Sequence, residues 1–358
     1  MTSKLAAAVA TLEERAGAGL AAKYLRRCEV DDEGEIVLTL DLPEGTRWFH
    51  TRGRDLHERF PEGDGALPSA AWLAALARTG RAQILSWRPG RRIVARVEED
   101  GRARIVKGHR PRRLARALAA QRVAEERVGP EVFSIAPLLA VDPERAALSL
   151  GILSGSPLEP PRASRTMLVE IGQRIARLQR SSHAGLSVHG RLDEVALLER
   201  ASERAGIALD ALPDGWRETA SRLAALATRA PLDGVAAHRD LHDGQILVDG
   251  ARLGLLDFDL FANAESSLDP ANLAVHLELR ILEADGADAP ERARVAVDAL
   301  LEGIERARDP RYAESFAFHC ASTALRLSLL CALRPAWARL AAPMLSRARE
   351  ATESCARS

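Results

Sequence analysis

The stretch 238–259 constrains this chain more tightly than any other. It reads His238-Arg239-Asp240-Leu241-His242-Asp243-Gly244-Gln245, an apolar run over 246–248, the dipeptide Asp249-Gly250, a second apolar run over 253–256, and Asp257-Phe258-Asp259. Two short apolar runs around a dipeptide that readily takes positive φ predict a tight β-hairpin. A hairpin brings its flanks together, so Gln245 before it and Asp257 after it face one volume, with Asp240 on the loop leading in. Carboxylates and an amide oxygen are hard ligands of the kind Mg²⁺ takes, and Mg²⁺ usually keeps only one or two protein ligands beside phosphate oxygens. An Asp that receives a hydroxyl proton, an amide five residues later and a second Asp beyond a hairpin are the working parts of phosphoryl transfer.

Two other readings of the segment are weaker. His238, Asp240 and His242 alternate, and on an extended strand they would share a side as zinc ligands, but no Cys pair or second His cluster near by completes such a site. A bland polar loop ahead of a hairpin gives no reason for Asp-Phe-Asp at the exit.

The second feature lies far upstream. Lys and Arg together number 50, yet the only lysines are Lys4, Lys23 and Lys107. Lys107 ends the strand-like run 103–107. A compact ammonium on a flexible stem suits the α- and β-phosphates of a nucleotide as a point charge, where a planar guanidinium is wider. Runs at 83–87, 92–97 and 103–106, separated by Arg88-Pro89-Gly90-Arg91 and Glu98-Glu99-Asp100-Gly101, predict an antiparallel meander. A helix over 111–128 follows, with Pro111 at its start and Gly129-Pro130 beyond its end. Leu114, Leu118, Gln121 and Glu125 share one face of it, which makes Glu125 the candidate carboxylate partner of Lys107. Runs at 132–139 and 146–150 complete a five-stranded sheet, and the Gly/Ser/Pro segment 151–157 reads as a linker. The turn 88–92 stands where a Gly-x-Gly-x-x-Gly loop is absent, and no Gly-Lys-Ser/Thr of a P-loop occurs.

With these residues in view, the chain resembles the aminoglycoside phosphotransferase and choline kinase group of the protein-kinase-like superfamily. The group pattern is His-Gly-Asp-Leu-His-x-x-Asn, a hairpin, Ile-Asp-Phe-Asp/Glu, then Asp-Pro-x-x-Asp-Leu-Ala. His238, Asp240, Leu241, His242, Asp257 and Phe258 match, while Glu265, Asp269, Leu273 and Ala274 approximate the last element. The resemblance implies a bilobal α+β protein-kinase-like fold: a small lobe of antiparallel sheet plus helix, then a large, mostly helical lobe. It implies Asp240 as catalytic base, Lys107 and Glu125 as nucleotide-binding residues, and Gln245, Asp257 and Asp259 as nucleotide and Mg²⁺ contacts. His238 and Asp269 would be structural supports, Asp269 as an N-cap tying its helix to the loop. ATP (or GTP) and Mg²⁺ would be the cofactors, the hinge 151–157 would meet adenine, and a small-molecule hydroxyl would be the acceptor, on a sugar, an amino-sugar such as an aminoglycoside, or an amino-alcohol. Two departures stand out. Arg239 replaces Gly, and Gln245 replaces Asn, as in maltokinase-like members. They motivate a rival reading, a non-catalytic nucleotide-binding scaffold of the same fold.

Composition bounds the remainder. Formal charge is zero with a pI near 7.1, which gives no global drive toward nucleic acid or an anionic membrane. The Arg-rich stretch 102–127 lacks the interleaved aromatics of a nucleic-acid binder, and no uninterrupted apolar run predicts a membrane span. Cys28, Cys320, Cys331 and Cys355 form no Cys-x-x-Cys pair and read as ordinary thiols. The expectation is a cytoplasmic enzyme without nucleic-acid or membrane partners. Its predicted divisions are a small α/β extension over 1–80, an N-lobe over 81–151 and a helical C-lobe over 152–358. In the extension we expect a helix over 3–22, strands over 35–40 and 47–51, and a helix over 68–78. In the C-lobe, helices over 270–282, 290–308, 312–333 and 335–350 would frame the acceptor pocket; the acidic cluster Glu283, Asp285 and Asp288 reads first as a solubilised Gly/Ala loop, with attraction of a cationic amino-sugar as the lesser alternative.

Overall fold

Gly17 and Gly19 decide how the chain begins. The apolar pattern over 3–22 predicts one helix, whereas the structure has Lys4–Ala16 (α1) and Leu20–Tyr24 (α2). The two glycines take φ of +116° and +77° and open the helix between them. The structure is a computed structural model describing residues 3–357, apart from 32, 44, 53, 54, 230, 232, 233, 285, 305, 306 and 308. Four antiparallel strands follow, paired in chain order: Leu25–Val30 (β1), Ile36–Leu42 (β2), Gly45–Arg52 (β3) and Asp55–Arg59 (β4). The sequence pattern found β2 and β3 but not β1. A register shift between Leu25 and Arg27 puts the buried residues at Leu25, Cys28 and Val30, so no period of two is visible.

Ala70–Arg78 (α3) leads into Ala82–Arg88 (β5), Arg92–Glu99 (β6), Arg102–His109 (β7), Pro111–Arg127 (α4), Ser134–Ile135 (β8), Leu138–Asp142 (β9) and Ala147–Leu150 (β10). The anticipated five-stranded antiparallel sheet is present in the order β5-β6-β7-β10-β9. The run 132–139 splits, however. Pro137 has no N–H for a ladder, and the residues before it, β8, leave to pair parallel with another strand. A core of Trp48, Leu67, Leu73, Trp87, Ile93 and Val106 joins the first sheet and α3 to the second. Trp48 meets Trp87 edge to face with ring centroids 5.5 Å apart.

The remaining elements are Ser156–Pro157 (β11), Arg165–Gln179 (α5), Val188–His189 (β12), Arg191–Ala208 (α6), Trp216–Leu226 (α7), Gly234–Ala237 (β13), Ile246–Asp249 (β14), Arg252–Leu255 (β15), Ala262–Glu265 (β16), Leu268–Glu283 (α8), Ala289–Glu302 (α9), Pro310–Ala332 (α10) and Ala341–Arg357 (α11). Two small sheets, β11-β14-β15-β8 and β12-β16-β13, carry the loops of the site. The predicted helix 335–350 begins as a 3₁₀ turn, Pro335–Leu340, before α11. By length and composition α10 is apolar enough to cross a membrane, yet 78% of that apolar stretch is buried inside the protein, and it packs on α8 and α11. All four cysteines are buried free thiols.

A buried ionic network fixes the large lobe around the loops. Arg191 on α6 reaches Glu265 on β16 at 2.9 Å and Glu314 on α10 at 2.9 Å, and His319 meets Glu265 at 2.9 Å. A buried network of this kind, joining α6, β16 and α10, favours one arrangement of the three elements.

Candidate active site

β13 delivers the chain to His238, whose Nε2 lies 2.7 Å from the carbonyl of Leu256 and whose ring packs edge to face on Phe258. The backbone then turns left-handed at Arg239, with φ of +73°, a conformation that costs an L-residue on the order of 1–2 kcal/mol. Asp269 holds that turn by accepting the N–H groups of His238 (2.6 Å) and Arg239 (2.7 Å). Asn272 adds a bond from its side-chain amide to the carbonyl of Arg239 at 2.8 Å. The turn brings Asp240 onto the wall of a cavity of about 950 Å³. Among the described residues nothing hydrogen-bonds to the Asp240 carboxylate or pairs with it.

The hairpin pairs Ile246 with Leu255 and closes at Asp249 and Arg252, so its turn residues are Gly250 and Ala251, one position later than the dipeptide predicts. The N–H of Leu256 donates to the carbonyl of Gln245 at 2.9 Å, which sets Asp257 beside Gln245 at the open end. Asp257 also has positive φ, +66°, turning its carboxylate into the cleft. There Lys107 Nζ lies 2.8 Å from Asp257 and 3.3 Å from Asp259, while Arg92 lies 2.8 Å and 3.2 Å from the same two acids. Two carboxylates and two bases thus neutralise one another. Burial alone would raise the Asp257 carboxyl, but the charges of Lys107 and Arg92 outweigh it and hold the group far below the usual carboxylate range. Burial would lower Lys107, and Asp257 and Asp259 reverse that, keeping the ammonium charged.

A profile of the APH family, described as the phosphotransferase enzyme family, matches residues 84–310. The chain belongs to the phosphotransferase enzyme family. Its fold is that of the protein-kinase-like small-molecule kinases. It is similar to a choline/ethanolamine kinase family protein from Mesorhizobium loti, at 17% identity over 80% of this chain and 95% of that one, with a TM-score of 0.53. The choline kinase of Streptococcus pneumoniae gives 13%, 79%, 98% and 0.54, and that of Cryptosporidium parvum 10%, 78%, 91% and 0.54. Comparison with curated protein sequences gives no match.

Two expectations for this phosphotransferase need correction. Glu125 does not pair with Lys107: its carboxylate accepts from the Gln121 amide at 2.8 Å and from the N–H of Leu138 at 2.5 Å, because it lies one turn beyond Gln121, near the end of α4, and meets β9 instead. Asp269 is not an N-cap. Ser267 holds that position, and Asp269 sits inside the first turn of α8 with its carboxylate turned back to the loop. The weaker zinc reading gains nothing from the structure: the left-handed turn at Arg239 sends His238 toward Leu256 while His242 stacks on His276, ring centroids 5.0 Å apart.

Several residues of the cavity escaped the sequence reading. Arg92 was visible only as one arginine of a turn, and its contact with Asp257 spans 165 positions. Gln121 was read as a face residue of α4; it is buried, lines the cavity and donates to the carbonyl of Ala136 at 2.8 Å. His276, Arg280, Arg334 and Trp337 also line it, as do Arg26 and Arg27 from β1, which lies outside the stretch matched by the family profile. Of the acidic cluster, Glu283 is engaged by Arg280 at 2.8 Å and by the indole N–H of Trp337 at 2.6 Å, and Asp285 lies outside the described residues.

Proposed function

We propose that this small-molecule phosphotransferase moves the γ-phosphoryl group of ATP, or GTP, to a hydroxyl of its acceptor in a Mg²⁺-dependent reaction. The observation that carries the reading is the lining of one cavity. Asp240, whose carboxylate has no protein partner among the described residues, lines it together with Gln245, Lys107, Arg92 and Asp257, and Asp259 joins the last three in one ionic cluster.

The donor set fits Mg²⁺. Asp257 and Asp259 offer carboxylate oxygens, and Gln245 offers an amide oxygen one methylene further out than Asn would. Mg²⁺ bound there neutralises charge on the phosphate oxygens. Lys107 and Arg92, now held by the same acids, are the cations that would turn to phosphate. Leu85, Ile105, Leu150, Ile152 and Leu255 supply apolar surface to the cavity, suited to a flat base beside the segment after β10. In the transfer, the acceptor oxygen bonds to the γ-phosphorus, the bond to the β–γ bridging oxygen breaks, and Asp240 takes the hydroxyl proton. A nucleoside diphosphate and a phosphate ester leave. Most of the acceleration would come from positioning and charge neutralisation.

The test is ADP release from ATP with Mg²⁺ across a panel of hydroxyl acceptors, with Asp240→Ala and Asp257→Ala alongside. Asp240→Ala should lose turnover at least a thousandfold and still bind nucleotide, whereas Asp257→Ala should lose Mg²⁺-dependent nucleotide binding. Near-wild-type turnover in Asp240→Ala would sink the assignment.

A further inference from the structure

Eight basic side chains and four acidic ones line the cavity. The excess is not at Lys107 and Arg92, which Asp257 and Asp259 neutralise. It lies on other elements far apart in sequence: Arg26 and Arg27 on β1, Arg280 on α8, and Arg334 between α10 and the 3₁₀ turn. Arg26 has Asp41 at 3.2 Å, and Arg280 has Asp243 at 3.0 Å and Glu283 at 2.8 Å. Arg27 and Arg334 have no carboxylate within salt-bridge distance among the described residues, and Glu29, two positions after Arg27, is taken by Arg88 at 2.6 Å.

Arg334 Nε is buried with no hydrogen-bond partner among the described residues. The guanidiniums of Arg280 and Arg334 lie 4.9 Å and 4.4 Å from the ring centre of Trp337. Stacking on a ring occupies a guanidinium's face and leaves its N–H edge for a planar or tetrahedral oxyanion. Burial, with the neighbouring charges of Arg27 and Arg280, pushes Arg334 down to about 10, and burial likewise lowers Arg27 despite Glu29. Half-buried cations that repel one another, as Arg27 and Arg334 do, are costly without a counter-charge. The wall is continuous with Asp240. His242, two residues on, stacks on His276, and Arg280 follows one helical turn along α8, about 6 Å between Cβ atoms. Both histidines are lowered by burial, so the positive charge of this wall comes from the arginines.

We propose that Arg27, Arg280 and Arg334 form an anion subsite that receives a carboxylate or phosphate group carried by the acceptor whose hydroxyl faces Asp240. The inference rests on the reading of the cleft given above and narrows it. A sugar acid, hydroxy acid or sugar phosphate fits this wall, and a purely cationic amino-sugar does not. The arginines of β1 make the N-terminal sheet, outside the family profile, part of acceptor recognition.

The experiment is titration calorimetry of the full chain saturated with ADP and Mg²⁺, using inorganic phosphate as probe and acetate as a second one. Wild type should bind phosphate at millimolar concentration, and Arg334→Gln and Arg27→Gln should each weaken it about tenfold, with ADP affinity within twofold and a wild-type thermal melt. Arg280→Gln gives a third reading should either variant melt early. Tighter acetate than phosphate assigns the subsite to a carboxylate, and the reverse to a phosphate. Phosphate binding unchanged in all three variants, or absent, overturns the proposal. So does loss of phosphate binding on ADP saturation, which would make the arginines part of the nucleotide's own cradle. Arginine-dependent phosphate binding in a protein that fails to bind ADP leaves the subsite standing and removes the nucleotide reading instead.

Discussion

Asp269 holds Arg239 in a left-handed turn: its carboxylate accepts the Arg239 N–H at 2.7 Å, where φ is +73°. The position at which the family pattern has glycine is therefore one whose backbone favours glycine, and this chain sustains an arginine there through the Asp269 anchor. Asp269→Ala should leave two buried N–H groups unpaired and destabilise the protein by about 3 kcal/mol, with turnover falling as Asp240 loses its position. Arg239→Gly should keep the fold and gain up to about 1 kcal/mol, the relief of a left-handed L-residue partly offset by a freer unfolded chain. Denaturant melts of both variants check this, and a clearly destabilised Arg239→Gly contradicts it.

Lys107 lies between two carboxylates, so its removal should move two affinities in opposite directions. Lys107→Met should weaken nucleotide binding at least tenfold, about 1.4 kcal/mol, by removing a phosphate contact. The same change strips a competitor from Asp257 and Asp259 and should tighten binding of Mg²⁺ alone. Calorimetric titrations of each ligand separate the effects; weakening of both would mean that the acids do not hold the metal.

Glu194 gives stability a pH dependence of known sign. It is fully buried, and although burial raises it, the hydrogen bond from His189 at 2.6 Å and the charges of Arg326 and His319 bring it down to about 2. Its folded value lies below the unfolded one of about 4.3, so its contribution is complete above roughly pH 4.5 and is lost as pH falls toward 2. That contribution is about 3 kcal/mol on this shift. Thermal melts between pH 6 and pH 3 should fall less steeply for Glu194→Gln than for wild type, and parallel curves would refute the linkage.

Gly172 on α5 lies where α9 ends. A Cβ at Gly172 would stand 2.2 Å from the carbonyl oxygen of Leu300, and one at Gly303 the same distance from that of Val169. Backbone cannot yield as a flexible side chain does, so Gly172→Ala should cost about 3 kcal/mol or more through overpacking. Gly206→Ala, on the exposed face of α6 with open space around its Cβ position, should gain about 1 kcal/mol by helix propensity and serves as the control.

The hairpin, the three strands around Lys107, the helix after them and the five-stranded sheet were legible because each rests on local causes: periodicity, a turn dipeptide, a proline at a helix start. The placing of Asp240, Gln245 and Asp257 near one volume followed from hairpin geometry alone. Glu125 was misassigned because a helix face says which residues share a side and nothing of which neighbour that side meets. Arg92, Arg280 and Arg334 carried no local mark in a chain where arginine supplies almost all the positive charge. Their roles come from contacts spanning 165 residues in one case and from the packing of β1, α8 and the segment after α10 in the other. Sequence by itself determined which residues are proposed for phosphoryl transfer, since they lie within one loop and hairpin plus one strand. Only the tertiary structure decided which charges line the cavity, because charge on a cavity wall is the sum of side chains that long-range packing alone brings together.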